Sequence, residues 1–175
     1  ILPASITNLA NTYGKVLGTS HRQKPVKDVV SAVRVGLKSL FSLPDGYEVI
    51  IGNGGSTAFW DIATFNLIEN KSQHLVFGEF SSKFAAAAKE APMIGTPTVI
   101  KAEPGSHPLP VIESGVDAYA LTHNETSTGV MMPIIRPAGA ADALILVDAT
   151  SAAGGLALDI SESDCYYFAP QKSFA

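Results

Sequence analysis

Cysteine is nearly absent from this chain of 175 residues: Cys165 stands alone, so no intramolecular disulfide ties the fold to an oxidising compartment. It lies in the apolar run Cys165-Tyr166-Tyr167-Phe168 and reads as a small buried side chain. Charge is sparse as well. Only 16% of residues are charged, the formal net charge is −4 and the pI is near 5.5, so no basic footprint for nucleic acid or an anionic membrane exists. An anionic ligand therefore has to be held by a local site. No apolar stretch approaches the roughly 18 residues of a membrane span. The opening Ile-Leu-Pro-Ala-Ser-Ile-Thr has no basic region followed by a hydrophobic block, so no signal peptide is expected in that stretch. Nor does it begin with methionine, and both ends are expected to be truncated. There is no internal repeat and no low-complexity segment.

What is present suits one well-buried α/β domain: 46% hydrophobic residues, fifteen glycines and a positive mean hydropathy. From Pro25 to Phe41, Val26, Val29, Val30, Val33, Leu37, Leu40 and Phe41 form one helical face, with Pro25 in the first turn and Leu43-Pro44-Asp45-Gly46 as the stop. Tyr47–Ile51 reads as a short β-branched strand. A helix capped by Ser56 or Thr57 then runs to about Ile68. Further strands are expected at His74–Phe77, Thr98–Lys101, Asp117–Thr122, Ala143–Asp148 and Cys165–Ala169, with a helix at Ser82–Ala91 and a Pro/Gly/Ser-rich loop over 102–115. Strands alternating with helices predict a mostly parallel sheet.

In such sheets ligands bind beyond the carboxyl ends of the strands. Five polar or glycine-rich clusters are expected there: Gly52–Thr57, Gly78–Ser82, Thr122–Thr128, Asp148–Ser151 and Pro170–Ser173. Gly52-Asn53-Gly54-Gly55-Ser56-Thr57 leads into a helix start, where free N–H groups and the positive end of the helix dipole suit a phosphate. It is neither a dinucleotide fingerprint nor a Walker A loop; by itself it is also compatible with an ordinary glycine turn and N-cap. Asp148, directly after Ala-Leu-Ile-Leu-Val, either caps a turn or pairs with a protonated heterocyclic nitrogen. Lys172 follows a buried strand and is flanked by Gln171 and Ser173, a setting in which an amine could form a Schiff base.

In this order, a glycine-rich phosphate loop, a strand-end Asp and a later strand-end Lys resemble the fold-type I pyridoxal-phosphate enzymes of class V. The finer wording resembles the phosphoserine aminotransferase family: Gly18-Thr19-Ser20-His21-Arg22, Gly78-Glu79-Phe80, His123-Asn124-Glu125-Thr126, Val147-Asp148-Ala149-Thr150-Ser151 and Ala169-Pro170-Gln171-Lys172. The match runs from about residue 14 onward.

The resemblance implies a three-layer αβα large domain with helices on both faces of the sheet, the C-terminal small domain lying outside this sequence, so that residues 1–175 form a partial cofactor-binding domain. It implies pyridoxal 5′-phosphate as cofactor, held covalently by Lys172, with Asp148 on the pyridine nitrogen, Thr126 on the ring oxygen and Phe80 stacked on the ring. Ser56, Thr57 and Gln171 would bind the phosphate, with Thr150 nearby. His21 and Arg22 would reach across a homodimer interface to the anionic end of the substrate. Ser173 departs from the asparagine expected after the lysine.

The implied substrates are L-glutamate and a phosphorylated 2-oxo acid, in a cytoplasmic enzyme of serine biosynthesis without metal, nucleic acid or membrane partner. Related class V aminotransferases share the loop, the aspartate and the lysine, and a non-catalytic domain with the same fold is the other alternative. A cysteine desulfurase fits poorly, because Cys165 lies within a strand. The arginine expected to grip the substrate α-carboxylate lies outside the sequence, and a chain of this length alone is expected to be inactive.

Overall fold

The computed structural model describes residues 3–140 and 142–174, which divide into two compact units, residues 3–52 with 174, and residues 53–173. The first unit holds helix α1 (Pro3–Tyr13), a short 3-10 turn (Gly14–Val16) and helix α2 (Lys24–Leu40), whose proline sits in its first turn as the sequence implies. The apolar stripe of α2 is not sealed: none of its residues is buried, and Val30 and Val33 remain exposed. A groove of about 630 Å³ runs along it, lined by Val26, Val30 and Arg34 from the helix and by Tyr47 and Val49. Arg34 spans to Glu48 at 3.4 Å.

Tyr47–Ile51 forms no strand, a departure from the sequence reading. β-propensity mostly reports packing against neighbouring strands, and among the described residues this run pairs with none; Ile50 is 88% exposed.

The second unit is built on a five-stranded parallel sheet of β1 (Ser72–Val76), β2 (Thr98–Lys101), β3 (Ala118–Thr122), β6 (Leu144–Asp148) and β7 (Cys165–Tyr167), in the order β2-β1-β3-β6-β7. Between β3 and β6 lies a small antiparallel pair, β4 (Asn124–Glu125) with β5 (Val130–Met131). The chain moves outward from β1 to β2 and then returns to the other side of β1 at β3. The β1/β3 boundary is thus the switch point of the sheet, where such folds open a crevice for ligands.

Alternation along the strands separates two cores. Ala118, Ala120 and Leu146 face helices α3 (Ser56–Asn66) and α4 (Glu79–Glu90), meeting Trp60, Ala63 and Phe84. Tyr119, Leu121, Ile145 and Val147 face the opposite way, onto Met132, Ile134 and Ala143 from the connecting segments. At the amino-terminal edge, Arg136 closes the second core by bonding the carbonyls of Ala140 and Ala143 and pairing with Asp164 at 2.6 Å.

Helix α4 begins at Glu79, three residues before the sequence pattern starts, because a distant carboxylate caps it, as described below. Strand β7 ends at Tyr167, whose register partner Asp148 is the last residue of β6. None of the helices described is long and apolar enough to cross a membrane.

His74, at the centre of β1, is 1% exposed; its Nε2 meets Ser72 Oγ at 2.9 Å, while Nδ1 has no hydrogen-bond partner among the described residues. Burial lowers its pKa from 6.5 to about 4. The unfolded chain therefore takes up a proton between those values that the folded chain refuses. We predict that stability is intact above pH 6.5 and falls by about 3 kcal/mol as the pH drops to 4. Urea midpoints of wild type and His74→Gln across this range check it: the variant should lose that part of the acid sensitivity, and parallel pH curves would contradict the assignment.

Candidate functional site

The polar residues of the second unit gather at the carboxyl end of the sheet. Asn53–Gly55 bends into α3, and Gly54 adopts φ +108°, a left-handed conformation open mainly to glycine. The helix N-cap is Gly55, one or two residues earlier than expected, with no side-chain cap. The Ala58 amide turns back onto the Gly55 carbonyl at 3.0 Å, and the amides of Ser56 and Thr57 are those such a helix start offers to a ligand or water. Ser56 is the first residue of the helix, and its hydroxyl bonds that of Thr150, which follows β6; Thr57 beside it is exposed. The Gly52–Thr57 loop thus reaches the strand end of β6, although it does not itself follow a strand.

Asp148 closes β6 and is 8% exposed. Its Oδ1 accepts the Thr150 amide at 3.0 Å, and its backbone carbonyl accepts the His123 amide at 2.9 Å. Burial pushes its carboxyl above the ordinary carboxylate range; the charge of Glu125 adds to this, while hydrogen bonds from Thr150 and Tyr167 oppose it. Such a carboxyl is short of cationic partners and gains strongly from a protonated ligand nitrogen. Ser151 joins two further residues: its hydroxyl accepts Asn124 Nδ2 and Thr126 Oγ1, each at 2.8 Å, and donates to the Asn124 carbonyl at 3.0 Å.

Across the switch point, Glu125 is fully buried and holds the start of α4. Its carboxylate accepts the amides of Phe80 (3.3 Å) and Ser81 (2.9 Å) and the hydroxyls of Ser81 and Ser127 (both 2.8 Å). Burial alone would raise its pKa, but the bonds from Ser81, Ser127 and Phe80 prevail and hold it below the ordinary value. A negative charge at a helix N-terminus is also favoured by the dipole. This contact fixes the backbone of Phe80, whose ring is 41% exposed and carries Lys83 Nζ 5.8 Å from its centroid.

Gly78 makes that approach possible. Its φ is 178°, so any residue could adopt the backbone, but a Cβ there would lie 2.3 Å from Glu125 Cγ and 2.5 Å from Ser127 Oγ. Glu125 cannot retreat without losing its hydrogen bonds. We predict that Gly78→Ala destabilises the protein by roughly 1–3 kcal/mol through overpacking, read as a lowered melting temperature. An unchanged melting temperature would mean that Glu125 is free to move.

Gln171 and Lys172 lie in the exposed turn 170–174, several residues beyond the end of β7 and not directly at a strand end. Thus Ser56, Thr150, Asp148, Thr126 and Phe80 occur on the switch-point end of one sheet with its adjoining helices. His21 and Arg22 belong to the first unit, in the turn before α2, where the Arg22 amide meets Ser20 Oγ at 3.3 Å. Sequence reasoning passed over Glu125, Ser127, Ser151, Trp60 and Tyr167 as site residues. Only the Ser127-Thr128-Gly129 turn, with Gly129 at φ +70°, offered a local signal for the hairpin that carries two of them. Among the described residues, no group of three His, Cys, Asp or Glu side chains could hold a metal ion.

A parallel α/β sheet in which an uncapped helix start lies beside a buried strand-end aspartate offers an amide-rich anion site next to a carboxyl. The chain belongs to the class-V aminotransferases, whose family model matches residues 2–175. It is 64% identical to a phosphoserine aminotransferase of Nocardioides and 59% identical to one of Rhodococcus opacus, in each case over all of this chain and 47% of the relative. The phosphoserine aminotransferase crystal structure from Cytophaga hutchinsonii superposes with a TM-score of 0.88 at 31% identity, covering 99% of this chain and 50% of that one. A pyridoxal-phosphate-bound phosphoserine aminotransferase from Trichomonas vaginalis shares the fold, with a TM-score of 0.79 at 18% identity. The chain spans about half the length of the relatives it matches.

Proposed function

We propose that the full-length protein is a phosphoserine aminotransferase that moves an amino group from L-glutamate to 3-phosphooxypyruvate, giving 2-oxoglutarate and O-phospho-L-serine. The observation that carries this reading is the 64% identity, across the whole of this chain, to a relative of that name. The site residues support it. The uncapped start of α3, with Ser56 and Thr57, is suited to a phosphate, and Thr150 beside Ser56 extends the same pocket. Gln171 is assigned to that phosphate as well.

When bound there, pyridoxal phosphate supplies the electron sink for transamination. The protein's own residues do the rest. Asp148 would accept a hydrogen bond from the ring nitrogen and keep it protonated; its buried setting would make that ion pair strong. Phe80 would cover one face of the ring, and Thr126 would support the ring oxygen. Lys172 is the residue that would anchor the cofactor covalently, and its amine, when free, would serve as the group that moves a proton during transamination. His21 and Arg22 are assigned to the anionic end of the substrate in a neighbouring subunit of a homodimer. A bidentate guanidinium is the group suited to that contact.

The test is a product assay on the full-length protein. Glutamate with 3-phosphooxypyruvate should yield O-phosphoserine with kcat/KM far above that for pyruvate or glyoxylate. A preference for either unphosphorylated acceptor would replace this reading with another class-V activity.

A further inference from the structure

Trp60 and Tyr167, whose polar groups the roles above leave unused, lie in line with Asp148. Tyr167 closes β7 and is paired in register with Asp148 of β6, and the Ala149 amide donates to the Tyr167 carbonyl at 2.8 Å. Residues two apart in a strand share a face, so Asp148 lies on the side of Leu146, the side where Tyr167 packs with Trp60 and Phe84. The phenol and the carboxyl therefore belong to register partners on one face, near enough for each to influence the other's proton.

The direction of this chain is settled by chemistry. Trp60 Nε1 lies 3.2 Å from the Tyr167 hydroxyl, and an indole N–H only donates. The phenol oxygen thus accepts from Trp60 and passes its own proton toward Asp148. Burial raises the Tyr167 phenol well above its ordinary pKa, so it remains a donor throughout the working pH range. The ring is also held in place, stacked on Phe59 with centroids 3.8 Å apart and edge-on to Phe84 at 6.4 Å. Phe59 and Trp60 both belong to α3, the helix whose first residue is Ser56. The same helix that offers its start to the phosphate thereby braces the aspartate assigned to the ring nitrogen.

We propose that Tyr167, backed by Trp60, is a positioning residue for Asp148: its hydroxyl aims the carboxylate at the ring nitrogen of the bound cofactor and limits how far that carboxylate draws the shared proton to itself. The proposal rests on the reading of Asp148 as the partner of that nitrogen. The Thr150 amide holds the carboxyl at 3.0 Å, and the Tyr167 hydroxyl, on the register partner of Asp148, is assigned as its second donor. Removing the second leaves the carboxylate more basic and free to turn, so the shared proton moves away from the ring.

The experiment uses the full-length protein loaded with pyridoxal phosphate isotopically labelled at the ring nitrogen, as wild type, Tyr167→Phe and Trp60→Phe. Tyr167→Phe keeps the stacked ring and deletes only the hydroxyl. Its ring-nitrogen NMR shift should move toward the unprotonated value, and kcat should fall roughly tenfold, the scale of one hydrogen bond to a charged group. KM for glutamate should stay within about twofold. Trp60→Phe, which leaves the tyrosine in place, should shift both quantities in the same direction by less. An unchanged ring-nitrogen shift in both variants, whether or not kcat or the melting temperature falls, would overturn the proposal by reducing the pair to packing. Asp148→Ala separates the two levels of the argument. If it moves the ring-nitrogen shift while Tyr167→Phe does not, only the role of Tyr167 is lost. If Asp148→Ala leaves that shift unchanged, the reading of Asp148 fails and takes the proposal with it.

Discussion

Lys172→Ala in the full-length protein is expected to lower transamination by roughly a thousandfold or more, because under the proposed function a single amine would both anchor the cofactor and transfer the proton. General acid–base transfer alone contributes about 10²–10⁴, and loss of the covalent anchor adds to it. The companion measurement is borohydride reduction of the wild-type protein with cofactor, followed by peptide mapping. The label should sit on Lys172. A label on Lys83 or Lys89 would refute the assignment. Lys83 is the natural control: its ammonium is already engaged, 3.0 Å from Glu79 and over the ring of Phe80.

Asp148→Ala is the second large effect. Cofactor should still be retained, since the phosphate loop around Ser56 and Thr57 is untouched, whereas kcat should drop by several powers of ten. The reason is electrostatic: a preorganised charge in a site sheltered from water is worth a few kcal/mol to a reaction that develops charge on the ring. The surroundings sharpen the loss, because the Thr150 amide is bonded to that carboxyl and would be left without it. Activity near wild type in Asp148→Ala would sink the role assigned to this residue. Asp148→Asn makes a useful comparison, keeping the shape while removing the charge.

Both variants concern residues recognisable from their neighbours in sequence. Asp148 follows a run of apolar residues that becomes β6, and Lys172 follows the run that becomes β7. The residues that shape their surroundings were not recognisable in that way. Glu125 lies within the His-Asn-Glu-Thr segment, yet nothing local reveals that it caps a helix 44 or 45 residues earlier. Trp60 and Tyr167 are 107 residues apart and look like ordinary core aromatics until the strand register sets Tyr167 beside Asp148.

The sequence by itself determined the alternation of elements, the parallel sheet and the family, because these depend on short-range information. Period-2 and helical spacing mark buried faces, and glycine, proline and serine mark where the chain turns. The tertiary structure alone decided which runs pair and which polar groups meet. Tyr47–Ile51 has the composition of a strand and forms none, since a ladder needs a neighbour and composition cannot supply one. Helix α4 starts at Glu79 because a buried carboxylate from the far side of the switch point takes up its first amides, and Gly78 is glycine because that carboxylate is there. A long-range hydrogen bond leaves no periodic trace in the chain, and so the grip of Glu125 and the line from Trp60 through Tyr167 to Asp148 emerge only when the strands lie side by side.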